Sequence, residues 1–187
     1  MPSQVLLEIG TPIILANSDH APSVTGNNLG TRTDQISLSG LADGAYRQSD
    51  KIDFGGGTSN WAPEWTVDAC FEPSGAPTAG TTVEYYVGFS QSVTAGQDNP
   101  GKLVGADSAY VGYGSASTDA DEAVKQLTYI GSLVLTADAY PQTGPIGTIG
   151  VPYRYGTLVV NNNAGVSHAA DGVEASIRFT PVIPEGQ

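Results

Sequence analysis

Apolar and polar residues alternate in short runs along most of the chain, and Gly, Pro, Asn and Asp separate the runs. In Val173–Ile183 the residues Val173, Ala175, Ile177 and Phe179 alternate with Glu174, Ser176, Arg178 and Thr180. A period of two puts one face in a core and the other in water, as in a half-buried strand. Thr81–Phe89, Leu127–Thr136 and Tyr155–Asn161 are rich in Val, Ile, Leu, Tyr, Phe and Thr, residues most of which suit a pleated surface. Gln4–Ile9, Pro12–Leu15, Gln35–Leu38, Ala45–Phe54 and Trp65–Glu72 are weaker candidates, which makes about nine strands in all. Helix formers follow one another only in Asp119–Gln126, with Thr118 as N-cap and acids in the first turn, so one short helical turn is predicted there.

Many short strands with Gly/Pro turns and no crossover helices predict an all-β chain: an antiparallel β-sandwich or jelly roll with long loops. A length of 187 residues fits a single domain spanning 1–187. Two regions break the rhythm. Asn17–Thr33 lacks alternation, so residues 1–34 read as an extended N-terminal arm and loop. Gln91–Thr118 is small, polar and spotted with Tyr110 and Tyr113, and its 28 residues exceed the ~12–15 usual for a structureless loop. This insertion is expected to be functional or pinned to a partner.

Composition narrows the function. Gly and Pro, at 24 and 12 of 187 residues, stay below the ~25–30% of low-complexity disorder. A net charge of −12 argues against nucleic acid, whose binding needs clustered Lys and Arg. No apolar run approaches the ~18 residues of a membrane span and the start lacks a basic leader, so no membrane partner is expected and the chain reads as soluble and made without an export signal. Cys70 is the lone cysteine and reads as a small packed residue, since nothing basic nearby would lower its pKa.

Tests for chemistry give little. Gly96-Gln-Asp-Asn-Pro-Gly101-Lys102-Leu103 has phosphate-loop spacing, but Leu103 stands where a hydroxyl must hold magnesium and no helix follows. There is no Gly-x-Ser-x-Gly elbow, and the only histidines, His20 and His168, sit in polar contexts. Asp119-Ala-Asp121-Glu122 lacks the turn glycine and third ligand of a calcium loop and reads as helix capping. The expectation is no enzyme, no cofactor and no metal. Trp61, Trp65, Tyr110, Tyr113, Tyr153 and Tyr155 suit a core or a subunit contact, and less often a sugar-stacking platform.

Several phrases resemble a known family: Thr11-Pro-Ile-Ile-Leu, Asn27-Asn-Leu-Gly-Thr-Arg-Thr-Asp-Gln-Ile, Tyr46-Arg-Gln-Ser-Asp-Lys-Ile-Asp-Phe, Asn99-Pro-Gly, Tyr129-Ile-Gly-Ser-Leu, Tyr155-Gly-Thr-Leu-Val-Val-Asn-Asn and Phe179-Thr-Pro. Together they are similar to small structural proteins encoded among the virion genes of tailed bacteriophages and prophages. The resemblance implies a capsid cement, or decoration, protein made in the host cytoplasm and carried on the outside of the virion head. It implies the major capsid protein as partner and a homotrimer as the oligomer. It carries no catalytic residues. On that reading Pro12, Ile13, Ile14 and Leu15 of the arm, with Tyr110 and Tyr113 of the insertion, contact the capsid or trimer neighbours. The alternative is a carbohydrate-binding β-sandwich on a virion surface or fibre.

Overall fold

The structure is a computed structural model, and it describes residues 6–23, 25–55, 62–114 and 117–185. Trp61, the first five residues of the expected arm and residues 115–116 of the insertion lie outside these. The described residues form eleven strands: β1 (Leu6–Ile9), β2 (Ile13–Ala16), β3 (Asp34–Gln35), β4 (Tyr46–Asp53), β5 (Glu64–Phe71), β6 (Thr82–Ser90), β7 (Ser108–Ala109), β8 (Thr128–Val134), β9 (Gln142–Gly150), β10 (Tyr155–Asn163) and β11 (Ser176–Glu185). A short helix, α1 (Ser117–Ala123), runs into a 3-10 turn over Val124–Gln126. It starts earlier than the sequence suggests, which puts Thr118 inside the helix.

The strands make a sandwich of two sheets. One runs β3-β2-β11-β5-β9, with β1 beside β11 beyond β2; the other runs β7-β4-β10-β6-β8. All pairings are antiparallel except β2 with β3. Along the chain β2, β4, β5 and β6 alternate between the sheets, β8 stays beside β6, and β9, β10 and β11 alternate again. The inward faces meet in one apolar core that includes Leu15, Ile52, Phe71, Tyr85, Leu158, Ile177 and Phe179. Phe54 packs edge-on against both Trp65 and Phe179, with centroids 5.4 and 5.6 Å apart, a preferred aromatic geometry.

The segment over residues 12–15 runs into a strand of the sheet and is not a free arm. Its strand β2 lies between β3 and β11, pairing Leu15 with Ile177 and Ile13 with Phe179. Ile14 is 2% and Leu15 0% exposed, while Pro12 and Ile13 are half-buried. The apolar run reads as an arm only because its partner strand lies more than 160 residues away in the chain. The loop that follows is also tied down: buried Glu174 accepts from the Ser23 amide at 3.1 Å and from Asn27 Nδ2 at 3.1 Å.

β9 is a strand that periodicity does not predict. Its sequence, Gln-Thr-Gly-Pro-Ile-Gly-Thr-Ile-Gly, reads as a loop, yet it pairs with β5 over its full length. It is an edge strand, the position in a sheet that tolerates proline. Glycine has a packing reason here: a Cβ on Gly131 of β8 would collide with the carbonyl oxygen of Ile146, and one on Gly147 with that of Ile130. The edges of the two sheets therefore close on each other backbone to backbone.

Candidate functional site

The insertion between β6 and β8 folds over the outer face of the second sheet, and β4 holds it there. Arg47 Nε reaches Asp107 Oδ1 at 2.7 Å, Gln48 accepts from the Val104 amide at 2.8 Å, and Asp50 accepts from the Asp107 amide at 2.8 Å. Lys51 Nζ donates to Ser90 Oγ and to the carbonyls of Ser92, Thr94 and Gln97, all at 2.9–3.0 Å. Burial raises the Asp107 carboxyl, but hydrogen bonds from Arg47 and Ser37 outweigh it and hold the group below the usual carboxylate range.

Beneath the insertion lies a second small core of Tyr46, Leu103, Tyr110, Ala120, Ala123, Val124 and Val159. Tyr110 is only 3% exposed; its hydroxyl donates to Gly101 O at 2.6 Å, and its ring sits 6.1 Å from that of Tyr46. Burial pushes its phenol up to about 12. In the single chain Tyr110 thus holds the insertion together from inside. Tyr113 is 53% exposed, with Val93, Val104 and Val111 also open to solvent. Among the described residues, half of the exposed large hydrophobics are on this one segment, and the others are Tyr129, Val134, Tyr140 and Tyr153. The residues expected to act together are therefore split, since residues 12–15 belong to the opposite sheet.

Where α1 meets the sheet there is a cleft of about 430 Å3, lined by Gly44, Tyr46, Glu84, Asp121, Asn161 and Asn163. Its base is a cross-strand row: Asn161 of β10 lies directly opposite Tyr46 of β4 on one side and Glu84 of β6 on the other. The Tyr46 hydroxyl donates to Asp121 Oδ1 at 2.6 Å, the Tyr86 hydroxyl to Glu84 Oε2 at 2.8 Å, and Asn161 Nδ2 to Glu84 Oε2 at 3.3 Å. Burial, followed by these acidic partners, raises both phenols above their ordinary value, so they stay protonated donors. Sequence reasoning missed this site. The signal present in the sequence was an Asn at an outward position in a run of Val and Asn.

Other candidates resolve structurally. Trp65 is buried, its indole donating to Ala62 O at 2.9 Å. Tyr155 is half-buried beside Arg154, whose guanidinium stands 5.2 Å from the ring centre. Tyr153 lines a smaller cleft of about 270 Å3 with Phe89, Ser90, Gln91 and Asp98. Cys70 is buried, and burial pushes its thiol up to about 11, which makes it unreactive. His168 is 1% exposed against Phe71, at 4.5 Å between ring centres, and burial pushes it down to about 3. His20 Nε2 lies 3.3 Å from Gly30 O. The 3-10 turn over Pro100–Lys102 occupies the place where a phosphate loop requires a helix. Among the described residues no group of three or more His, Cys, Asp and Glu could hold a metal ion, and no helix is long and apolar enough to cross a membrane.

The exposed insertion surface and the acidic cleft beside it are the two features that chemistry can use. No protein-family model, no curated protein and no solved structure matches the chain.

Proposed function

We propose that the chain is a structural binding module that docks onto the outside of a phage capsid, probing its partner with the face built by residues 91–127. The observation that carries this reading is the insertion itself. It has a core of its own, is anchored to β4 through Arg47, Gln48, Asp50 and Lys51, and presents Val93, Val104, Val111 and Tyr113 to solvent. Exposed apolar side chains held on a rigid frame fit a protein contact better than a solvated loop. Docking is then a property of surface shape, and no step of bond chemistry is required.

The strand order supports the same reading at the level of fold. β2-β11-β5-β9 facing β4-β10-β6-β8 has the alternation of a jelly roll, a fold shared by viral capsid and lectin domains. Fold alone does not fix function, so the weight rests on the surface. A homotrimer on a capsid threefold axis would multiply weak contacts through effective concentration. Co-sedimentation of the purified chain with undecorated heads tests the proposal. Val111→Ser with Tyr113→Ala should lower the bound fraction at least tenfold while the chain stays folded, and unchanged decoration would remove the insertion from the contact.

The second reading, carbohydrate binding, has its own observation in the cleft of Phe89, Gln91, Asp98 and Tyr153, where an exposed aromatic ring stands beside polar groups. Binding on a glycan array that is lost with Tyr153→Ala would favour it.

A further inference from the structure

The hydrogen-bonding groups of the cleft over Asn161 do not balance. Three side-chain donors at its base are spent internally: the Tyr46 hydroxyl on Asp121, the Tyr86 hydroxyl on Glu84, and the Asn161 amide on Glu84. What remains at the base is acceptors, with the Asn163 amide at the exposed rim. Asn161 is only 4% exposed, yet its Oδ1 has no partner. Turning the amide over would set that oxygen against the Glu84 carboxylate, so its orientation is fixed by charge. A buried acceptor left unmade costs about 1–3 kcal/mol. Neither Glu84 nor Asp121 takes part in an ion pair among the described residues; the four that exist use Asp53, Asp68, Asp107 and Glu122. Among the described residues no Lys, Arg or His lines the cleft.

The occupant that best answers this set donates hydrogen bonds and carries positive charge. A sugar hydroxyl is neutral and would leave the two carboxylates of the cleft without a counter-charge. Calcium takes ~6–8 oxygens drawn tightly around it, whereas the oxygens here come from Glu84, Asp121, Asn161 and Asn163 around a space of about 430 Å3, which is of the size that holds an organic group. A guanidinium has five N–H donors in a plane, no acceptor, and a fork that matches carboxylates. It also lies well against a tyrosine ring, and Tyr46 supplies one in the wall.

We infer that this cleft receives the guanidinium of an arginine side chain presented by a partner protein, with Glu84 and Asp121 as its counter-charges and Asn161 Oδ1 as a further acceptor. The inference rests on the docking reading for the source of the arginine, while the site itself stands on the geometry of the cleft.

The test is a titration of the isotope-labelled full chain followed by NMR, using N-acetyl-arginine amide as the probe and N-acetyl-citrulline amide as its neutral isostere. Calcium chloride and N-acetylglucosamine form the other two arms. Saturable shifts at residues 46, 84, 121 and 161 with the arginine probe are expected, and citrulline should bind roughly tenfold more weakly or worse, the loss expected for one charge-assisted hydrogen bond. Glu84→Gln with Asp121→Asn should weaken the arginine probe by a similar factor. The citrulline comparison needs no variant, so a poorly folded mutant cannot mask the answer. Equal binding of citrulline, absence of arginine shifts, or tighter saturation of the same residues by calcium or the sugar would overturn the inference. Such a failure leaves co-sedimentation with heads unaffected, whereas loss of decoration with arginine binding intact would remove the docking reading instead.

Discussion

Lys51 Nζ donates to the carbonyl oxygen of Gln97 at 3.0 Å, and the same ammonium also holds the carbonyls of Ser92 and Thr94. One cation on the second sheet thus organises the first turn of the insertion around itself. The segment that presents the docking surface owes its shape to a residue that is not part of it.

Lys51→Met should therefore loosen the insertion before it harms the sandwich. Amide exchange over residues 91–99 is expected to accelerate at least tenfold, with the strands beneath little changed. Each hydrogen bond to a charged group contributes about 1.5–3 kcal/mol, so protection equal to that of the parent chain would show that the loop holds itself.

Leu15→Ala should lower stability by about 2–5 kcal/mol, the cost of truncating a buried leucine, because Leu15 is fully buried between β3 and β11. Tyr113→Ala, at an exposed position, should stay within about 0.5 kcal/mol of the parent. Urea unfolding of the two variants measures both. Equal, small losses would return residues 12–15 to the status of an arm.

Gly131→Ala should destabilise by about 3 kcal/mol, since its methyl group would have to displace the Ile146 carbonyl rather than a side chain. Gly75→Ala, with nothing near the added atom, is the control and should be close to neutral. If both changes were tolerated in thermal unfolding, the backbone contact between β8 and β9 would be absent.

Stability should fall with pH because of His168. Burial holds its folded pKa near 3, against 6.5 for the free side chain. The unfolded chain then binds the extra proton between those values. The contribution is fully present above pH 6.5 and is lost at about 1.4 kcal/mol per pH unit as the pH falls toward 3. Between pH 6.5 and 5, above the range of ordinary carboxylates, urea midpoints of the parent should drop while those of His168→Leu stay flat. Parallel curves would show that His168 gains a proton in the folded state.

The sandwich is legible in the sequence because its strands leave a side-chain record. Ile177 and Phe179 point inward while Arg178, opposite Asp68 with a 2.8 Å ion pair, points outward, as the alternation requires. β9 leaves no such record, because its glycines exist to bring backbones together. The acidic cleft is illegible for another reason. Tyr46, Glu84 and Asn161 meet only through strand register, and Asp121 arrives from a helix in the insertion. Tyr110 shows the limit of composition: a tyrosine in a polar loop reads as surface until the loop is known to carry its own core.

The most direct test of the docking account is a cryo-EM map of heads from a phage whose genome encodes the chain. The account predicts two-sheet density on the outer shell, with residues 91–127 against the major capsid protein and a capsid arginine in the cleft over Asn161. An outer shell without this chain, or one that holds it with the insertion facing solvent, would contradict it.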